Sequence, residues 1–255
     1  MAFAKIKSIM TLAIDQRNHS RQQGVSLVEI MVSLVAGLIL TAGVIQIFIA
    51  NKQTYRVNNA SARIQENARF ALETLGRYLR IAGYKSNGQI DDETAFPAVP
   101  SANPIDLGFS AGQVLSGTDS EVRFRYQSDG DMTTCGGSSA NLGDMVNTRL
   151  FLENGNLKCK AEVLDLSSSP PTQQSDNTQT LIDNVTNLTL LYGIDTDADN
   201  AANRYDKAAN VGDWKQVVSL RLTLTLQSSE NNTSISGNSL QKSYTTTIGL
   251  RNRLR

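Results

Sequence analysis

The sequence predicts an α+β fold in which one long N-terminal helix packs on an antiparallel β-sheet domain, and three observations carry that expectation. From Ile30 to Ala50 the chain runs 21 residues without a charge. Apolar residues then recur at helical spacing as far as Ala82, and no proline interrupts Val25 to Ala82. After Tyr84 the pattern changes to period two, broken by polar, turn-forming stretches.

The helix comes first. At 1.5 Å per residue the uncharged run spans about 30 Å, the thickness of a bilayer's hydrocarbon core. Lys5, Lys7, Arg17 and Arg21 precede it against one acid, Asp15, and that excess predicts a cytoplasmic N-terminus. The run is too long for a secretory signal peptide, whose apolar region covers about 7–15 residues before a small-residue cut. Beyond Ala50, Ile64, Ala68, Ala71, Leu72, Leu75, Leu79 and Ala82 share one face, and Arg63, Gln65, Glu66, Arg69, Glu73, Arg77 and Arg80 lie on the other. Gly83 is placed to end the helix, which the pattern therefore predicts to run about 58 residues, greasy all round in its first half and amphipathic in its second. Glu29 stands out at the edge of the run, because a carboxylate placed centrally in lipid costs about 2–3 kcal/mol. One reading is that it marks the helix start, where the dipole favours an acid.

Six strands are predicted, over Glu121–Tyr126, Asn147–Glu153, Asn156–Val163, Leu181–Tyr192, Gln216–Gln227 and Ser243–Leu250. In the clearest, Leu220, Leu222, Leu224 and Leu226 alternate with Arg221, Thr223, Thr225 and Gln227, the signature of a half-buried strand with Leu inward. Glu153-Asn154-Gly155-Asn156 predicts a hairpin, since Asn-Gly suits a type I′ turn. Asn87–Gly117, Ser167–Gln179 and Ser229–Asn238 read as surface loops. The strands are expected to form one antiparallel sheet against the amphipathic half of the helix.

Composition excludes several functions. With 24 Lys+Arg against 24 Asp+Glu the formal net charge is zero, whereas a nucleic-acid-coating protein shows a basic excess. One His and two Cys are too few for the usual four-ligand zinc cluster. A Ser–His–Asp triad would have to use His19. Asp91-Asp92 and Asp129-Asp131 lie in loops with no apolar pocket signal and read as solvated, and no phosphate-binding Gly loop is present. One candidate metal site remains. Counted from Asp195, the residues Asp195, Asp197, Asp199, Asn203 and Asp206 fall at ligand positions 1, 3, 5, 9 and 12 of a calcium loop. It departs from that pattern at Asn200, where Gly is expected, and at Asp206, where Glu is expected. The alternative is a solvated acidic turn, with no cofactor at all.

The start of the helix carries a resemblance. Gly24 to Leu34, GVSLVEIMVSL, resembles the class III signal of type IV prepilins: a basic leader ending in Gly, then an apolar helix with Glu at its fifth residue. Val25 stands where the family usually has Phe. A second stretch, Arg63 to Tyr84 (RIQENARFALETLGRYLRIAGY), is similar to the corresponding segment of the PilW family of minor pilins, as are LIDNVTNLTLLYGIDTD and TTTIGLRNRL near the end. Asn87 to Thr118 carries no match.

The resemblance implies a pilin-like fold with residues 1–24 as a leader peptide, 25–50 as a transmembrane and filament-core helix, 51–83 as its amphipathic continuation, and 84–255 as a periplasmic β-rich domain. It implies cleavage between Gly24 and Val25 by the prepilin peptidase and N-methylation of Val25. The amine so created lies on the same helix face as Glu29, and the amine of a neighbouring subunit would compensate that carboxylate and set subunit register. Removing the leader takes away four cations and one acid, so the mature chain falls from zero to −3 and loses His19. In an extracytoplasmic domain Cys135 and Cys159 are expected to form a disulfide; the alternative is two unrelated thiols.

The implied function is that of a non-enzymatic minor pilin that helps prime type IV pilus assembly, and thereby twitching, adhesion or DNA uptake. Its partners would be the prepilin peptidase and, through the helix, other minor pilins and the major pilin, with no direct nucleic-acid binding. It would sit in the inner membrane as a single pass, N-terminus cytoplasmic, before reaching the pilus. The alternatives are a pseudopilin of type II secretion, a tip adhesin or other binding module, and an enzyme anchored by an uncleaved helix.

Overall fold

The computed structural model describes residues 24–99, 108–168, 171–229 and 239–253. The leader before Gly24 and nearly all of the predicted loop 229–238 lie outside them. The chain divides into two compact units, residues 1–51 and 52–255.

One helix, α1 (Leu27–Ile81), has 55 residues, within two residues of its predicted ends. In the first unit its apolar side chains from Leu27 to Ile49 are exposed. In the second unit it buries Ile64, Ala68, Ala71, Leu75 and Leu79, the face that the spacing predicts. Each fully buried Leu contributes about 1.5–3 kcal/mol relative to exposure. The helix stops at Gly83, whose φ of +78° lies in the left-handed region that an L side chain adopts only under strain. The Gly83 N–H then donates to the Arg125 carbonyl at 2.9 Å.

A five-stranded sheet runs in the order β1 (Leu115–Gly117), β2 (Glu121–Gln127), β3 (Met145–Glu153), β4 (Asn156–Asp165), β5 (Thr172–Ile182). A four-stranded sheet comprises β6 (Val185–Ile194), β7 (Arg204–Asp206), β8 (Val217–Gln227) and β9 (Gln241–Gly249), in the order β7-β6-β8-β9. Every pairing is antiparallel. The α+β class is thus as expected, but the strands form two sheets rather than one. The β3–β4 hairpin turns at Asn154 and Gly155, with φ of 52° and 74°, as a type I′ turn requires. In β8, Leu220, Leu222, Leu224 and Leu226 are buried and Arg221 is exposed, so the predicted phase is correct. One hydrophobic core joins the helix face to both sheets. The Tyr192 hydroxyl on β6 donates to the Thr118 carbonyl at 2.7 Å and ties the second sheet to the β1–β2 turn.

Two expectations are corrected. The stretch Ser167–Gln179, read as a loop, largely forms β5, and the strand read over Leu181–Tyr192 is instead the end of β5, a turn at Asn184 (φ 60°) and most of β6. β5 is an edge strand of Thr, Gln, Ser, Asp and Asn, exposed along nearly all its length. With no buried face it shows no apolar alternation, and the ladder to β4 holds it.

Asp91 and Asp92 are also not simply solvated. Asp91 caps the short helix α2 (Asp92–Ala95) by accepting the Thr94 N–H at 2.9 Å. Asp92 pairs with Lys85 at 3.0 Å and Arg253 at 3.1 Å, joining the turn after α1 to the C-terminal segment. Partial burial works against the charged carboxylate, but Lys85 and Arg253 outweigh it and hold Asp92 below the ordinary Asp value. This contribution is present above the unfolded carboxylate pKa and is lost as pH falls through the depressed folded value. Asp92→Asn is therefore expected to lower stability at neutral pH and to flatten its decline in acid. Urea unfolding at a series of pH values checks this; an unchanged acid slope would remove Asp92 from the account.

Candidate functional site

Three residues, Gly24, Val25 and Ser26, lead into α1 without helical structure. Among the described residues no atom lies within 4 Å of the position a Gly24 side chain would occupy, and Val25 is 65% exposed, so they leave the Gly24–Val25 peptide bond accessible. Ser26 starts the helix: its Oγ accepts the Glu29 N–H at 3.3 Å, and its carbonyl accepts the N–H of Glu29 at 3.0 Å and of Ile30 at 3.2 Å. This is half of a capping box, whose Ser-x-x-Glu spacing is readable in the sequence. Glu29 lies exposed in the first turn, where the helix dipole favours an acid.

The segment that follows is built for surroundings without water. The Ser33 hydroxyl donates to the Glu29 carbonyl at 2.6 Å, and Thr41 donates to Gly37 at 2.8 Å, so both hydroxyls are satisfied within the helix. Val28, Met31, Val32, Val35, Ala36 and Ile39 line a shallow apolar groove of about 460 Å³. Around Gly37 and Gly43 nothing lies within 4 Å of an added Cβ, which leaves room for another helix to approach closely. By length and composition the helix can cross a membrane.

Cys135 and Cys159 form a disulfide, with Cα atoms 6.0 Å apart and a sequence separation of 24. It pins the β2–β3 connection to β4. There Gly136 passes so close to β5 that a Cβ would meet the Asn177 carbonyl at 2.6 Å, so only glycine fits. In the acidic loop, Asp195, Asp197 and Asp199 bring one carboxylate oxygen each within 4.8 Å of one another. Asp206 is not part of that carboxylate group. The Asn203 side-chain oxygen accepts the Thr196 N–H at 2.7 Å, and Asp206 accepts the Lys207 N–H at 2.9 Å and the Asn210 amide at 2.6 Å. Asp195 itself accepts the N–H groups of Ala198 at 2.7 Å and Asn200 at 3.0 Å. Its partial burial opposes ionisation, but these bonds outweigh it and lower the pKa.

Two family models match the chain: type IV pilus-assembly protein W over residues 153–239, and the prokaryotic N-terminal methylation motif over residues 19–45. The chain thus carries a segment similar to type IV pilus-assembly protein W and a prokaryotic N-terminal methylation motif. Among solved structures, a type IV-like pilin from Thermus thermophilus is similar at 14% identity and a TM-score of 0.43, over 76% of this chain and 99% of that one. No curated protein sequence matches it. In this chain the methylation motif takes in Gly24, Val25 and Glu29, and the PilW match runs from the β3–β4 turn through β8. Arg63–Tyr84 lies outside both matches and supplies the buried face of α1.

One residue of the chain escapes sequence reasoning. Arg125 on β2 is fully buried. Its Nη1 donates to the Pro97 carbonyl at 2.6 Å, Nη2 to Phe96 at 2.9 Å and Ser110 at 2.7 Å, and Nε to Gln113. The guanidinium also lies 4.8 Å from the Phe109 ring centre. Burial pushes its pKa down to about 9, so it remains charged at neutral pH. In EVRFRYQ nothing separates Arg125 from Arg123, which faces Glu121 and is half-exposed.

Proposed function

We propose that this pilin is a minor, non-enzymatic subunit that is cleaved between Gly24 and Val25, methylated on the Val25 amine, and built into a type IV pilus whose assembly it helps to prime. The observation that carries this reading is the uncovered apolar side of α1, which begins two residues after an accessible Gly24–Val25 bond. Such a surface needs a host. Before assembly the host is the inner membrane, crossed once by residues 25–50 with the N-terminus cytoplasmic and residues 84–255 periplasmic; afterwards it is a bundle of other pilin helices. Within that bundle Glu29 has few partners, and the amine of a neighbouring subunit is the available one. Their pairing sets axial register.

Two measurements test this. The mature protein is expected to begin at methylated Val25 by mass spectrometry, and a chain intact from Met1 would overturn the processing step. Glu29→Ala is expected to reduce incorporation into sheared pili at least about tenfold, since the neighbouring subunit's terminal ammonium, left unpaired in apolar surroundings, costs about 2–3 kcal/mol, while membrane levels and cleavage hold. Entry into pili at the wild-type level would overturn the register role. Deleting the gene should abolish surface pili and with them twitching, adhesion and DNA uptake. Intact pili with lost secretion would point to a pseudopilin, and intact pili with lost attachment to a tip adhesin.

A further inference from the structure

Between Glu29 and Glu66 the chain has no carboxylate, and its only charges are Lys52, Arg56 and Arg63. At about 100° per residue these three fall within about 40° of one another on α1. Lys52 and Arg56 are exposed, Tyr55 is 69% exposed, and among the described residues none of these three side chains has a hydrogen bond or ion-pair partner. The bilayer-length run ends at Ala50. Along the helix, Lys52 lies about 3 Å and Arg56 about 9 Å beyond it; the headgroup layer on each side of a 30 Å core in a 40–45 Å bilayer is about 5–8 Å deep, within reach of both long side chains. Arg63, about 20 Å beyond, clears that layer.

We propose that Lys52, Tyr55 and Arg56 form a binding site for the headgroup phosphate of anionic phospholipids. The inference rests on membrane anchoring by the preceding run, with which the site is continuous. Tyr rings favour this depth, and Lys and Arg stems lie along apolar surface while their charges reach the phosphates. Cations at the non-cytoplasmic end of a span run against the usual bias, and the adjacent 36 residues hold no acid to neutralise them. A zwitterionic headgroup neutralises its own phosphate; an anionic one does not.

The test uses the full chain in lipid nanodiscs of phosphatidylcholine with a minority of phosphatidylglycerol. Flotation with vesicles is measured first, then the lipid retained around the protein. Phosphatidylglycerol is expected to be enriched about fivefold per interfacial cation. The enrichment should weaken in high salt, fall severalfold in Lys52→Gln/Arg56→Gln to what the leader cations Lys5, Lys7, Arg17 and Arg21 retain, and persist in Arg77→Gln, whose cation lies far along the helix. Both cations are exposed, and near-UV circular dichroism checks that the domain folds in each variant. Equal retention of the two lipids by the wild type, or unchanged enrichment in the double variant, would overturn the site while leaving anchoring intact. Carbodiimide coupling of Lys52 to another protein's carboxylate in native membranes would also overturn it, marking a protein contact instead. Failure to float at all would overturn the anchoring on which it rests.

Discussion

Replacing Arg125 by alanine is expected to destabilise the domain by about 3–5 kcal/mol. The guanidinium is the shared donor for the carbonyls of Phe96, Pro97, Ser110 and Gln113, which belong to two stretches of chain on either side of residues 100–107. Each buried acceptor left without a donor costs about 1–3 kcal/mol, and the cavity adds to that. Removing an unpaired buried charge returns part of this, because burial disfavours the cation. Four lost hydrogen bonds outweigh that return. Arg125→Lys should fall between the two, since an ammonium cannot span four oxygens that a planar fork reaches. Urea unfolding followed by Trp214 fluorescence measures the change, and Arg221→Ala is the control. Arg221 is exposed, stacks over Tyr205 at 4.1 Å, and should cost less than about 1 kcal/mol. Equal effects at 125 and 221 would show that the buried donor network carries no special weight.

Loss of the Cys135–Cys159 bond is expected to cost about 3–4 kcal/mol, the loop-closure value for about 25 residues. In a domain of this size that corresponds to a fall in Tm of about 10 °C. Cys135→Ser/Cys159→Ser and chemical reduction should agree. Both sulfurs are buried, so reduction should require partial opening and proceed slowly in native buffer. A double variant that melts within about 2 °C of the wild type would mean that packing of the β2–β3 connection against β5, rather than the crosslink, holds it in place.

The parts of the fold that were legible in the sequence are those where one physical demand dominates. A bilayer-length run and a clean helical stripe predict α1 to within two residues. Four alternating leucines fix the phase of β8, and Asn154-Gly155 fixes the turn between β3 and β4. Misreadings occur where the stabilising partner is remote. β5 has a polar sequence because it borders a sheet and is held by backbone bonds to β4. The separation into two sheets depends on a left-handed Asn184 that no hydrophobic pattern announces. Arg125 and Asp92 acquire their roles from residues up to 161 positions away. At the candidate site, Gly24, Val25 and Glu29 were readable because the signal is local. The Ser26 cap was readable too, from its Ser-x-x-Glu spacing, although the basic leader and the glutamate draw the eye first.

At the end of α1 the Asn252 side-chain amide donates to the carbonyls of Arg80, Ile81 and Ala82, at 3.0, 3.3 and 3.3 Å. The neighbouring Arg253 grips Asp92 and the Lys215 carbonyl, the latter at 2.6 Å. The first and last elements of the chain are thus clasped to each other. Tension applied along the helix would pass into the C-terminal segment within one turn, and the helix could not be drawn out of the domain without parting that clasp. The first helix and the C-terminal segment share any mechanical load, and Asn252 is one joint through which it passes.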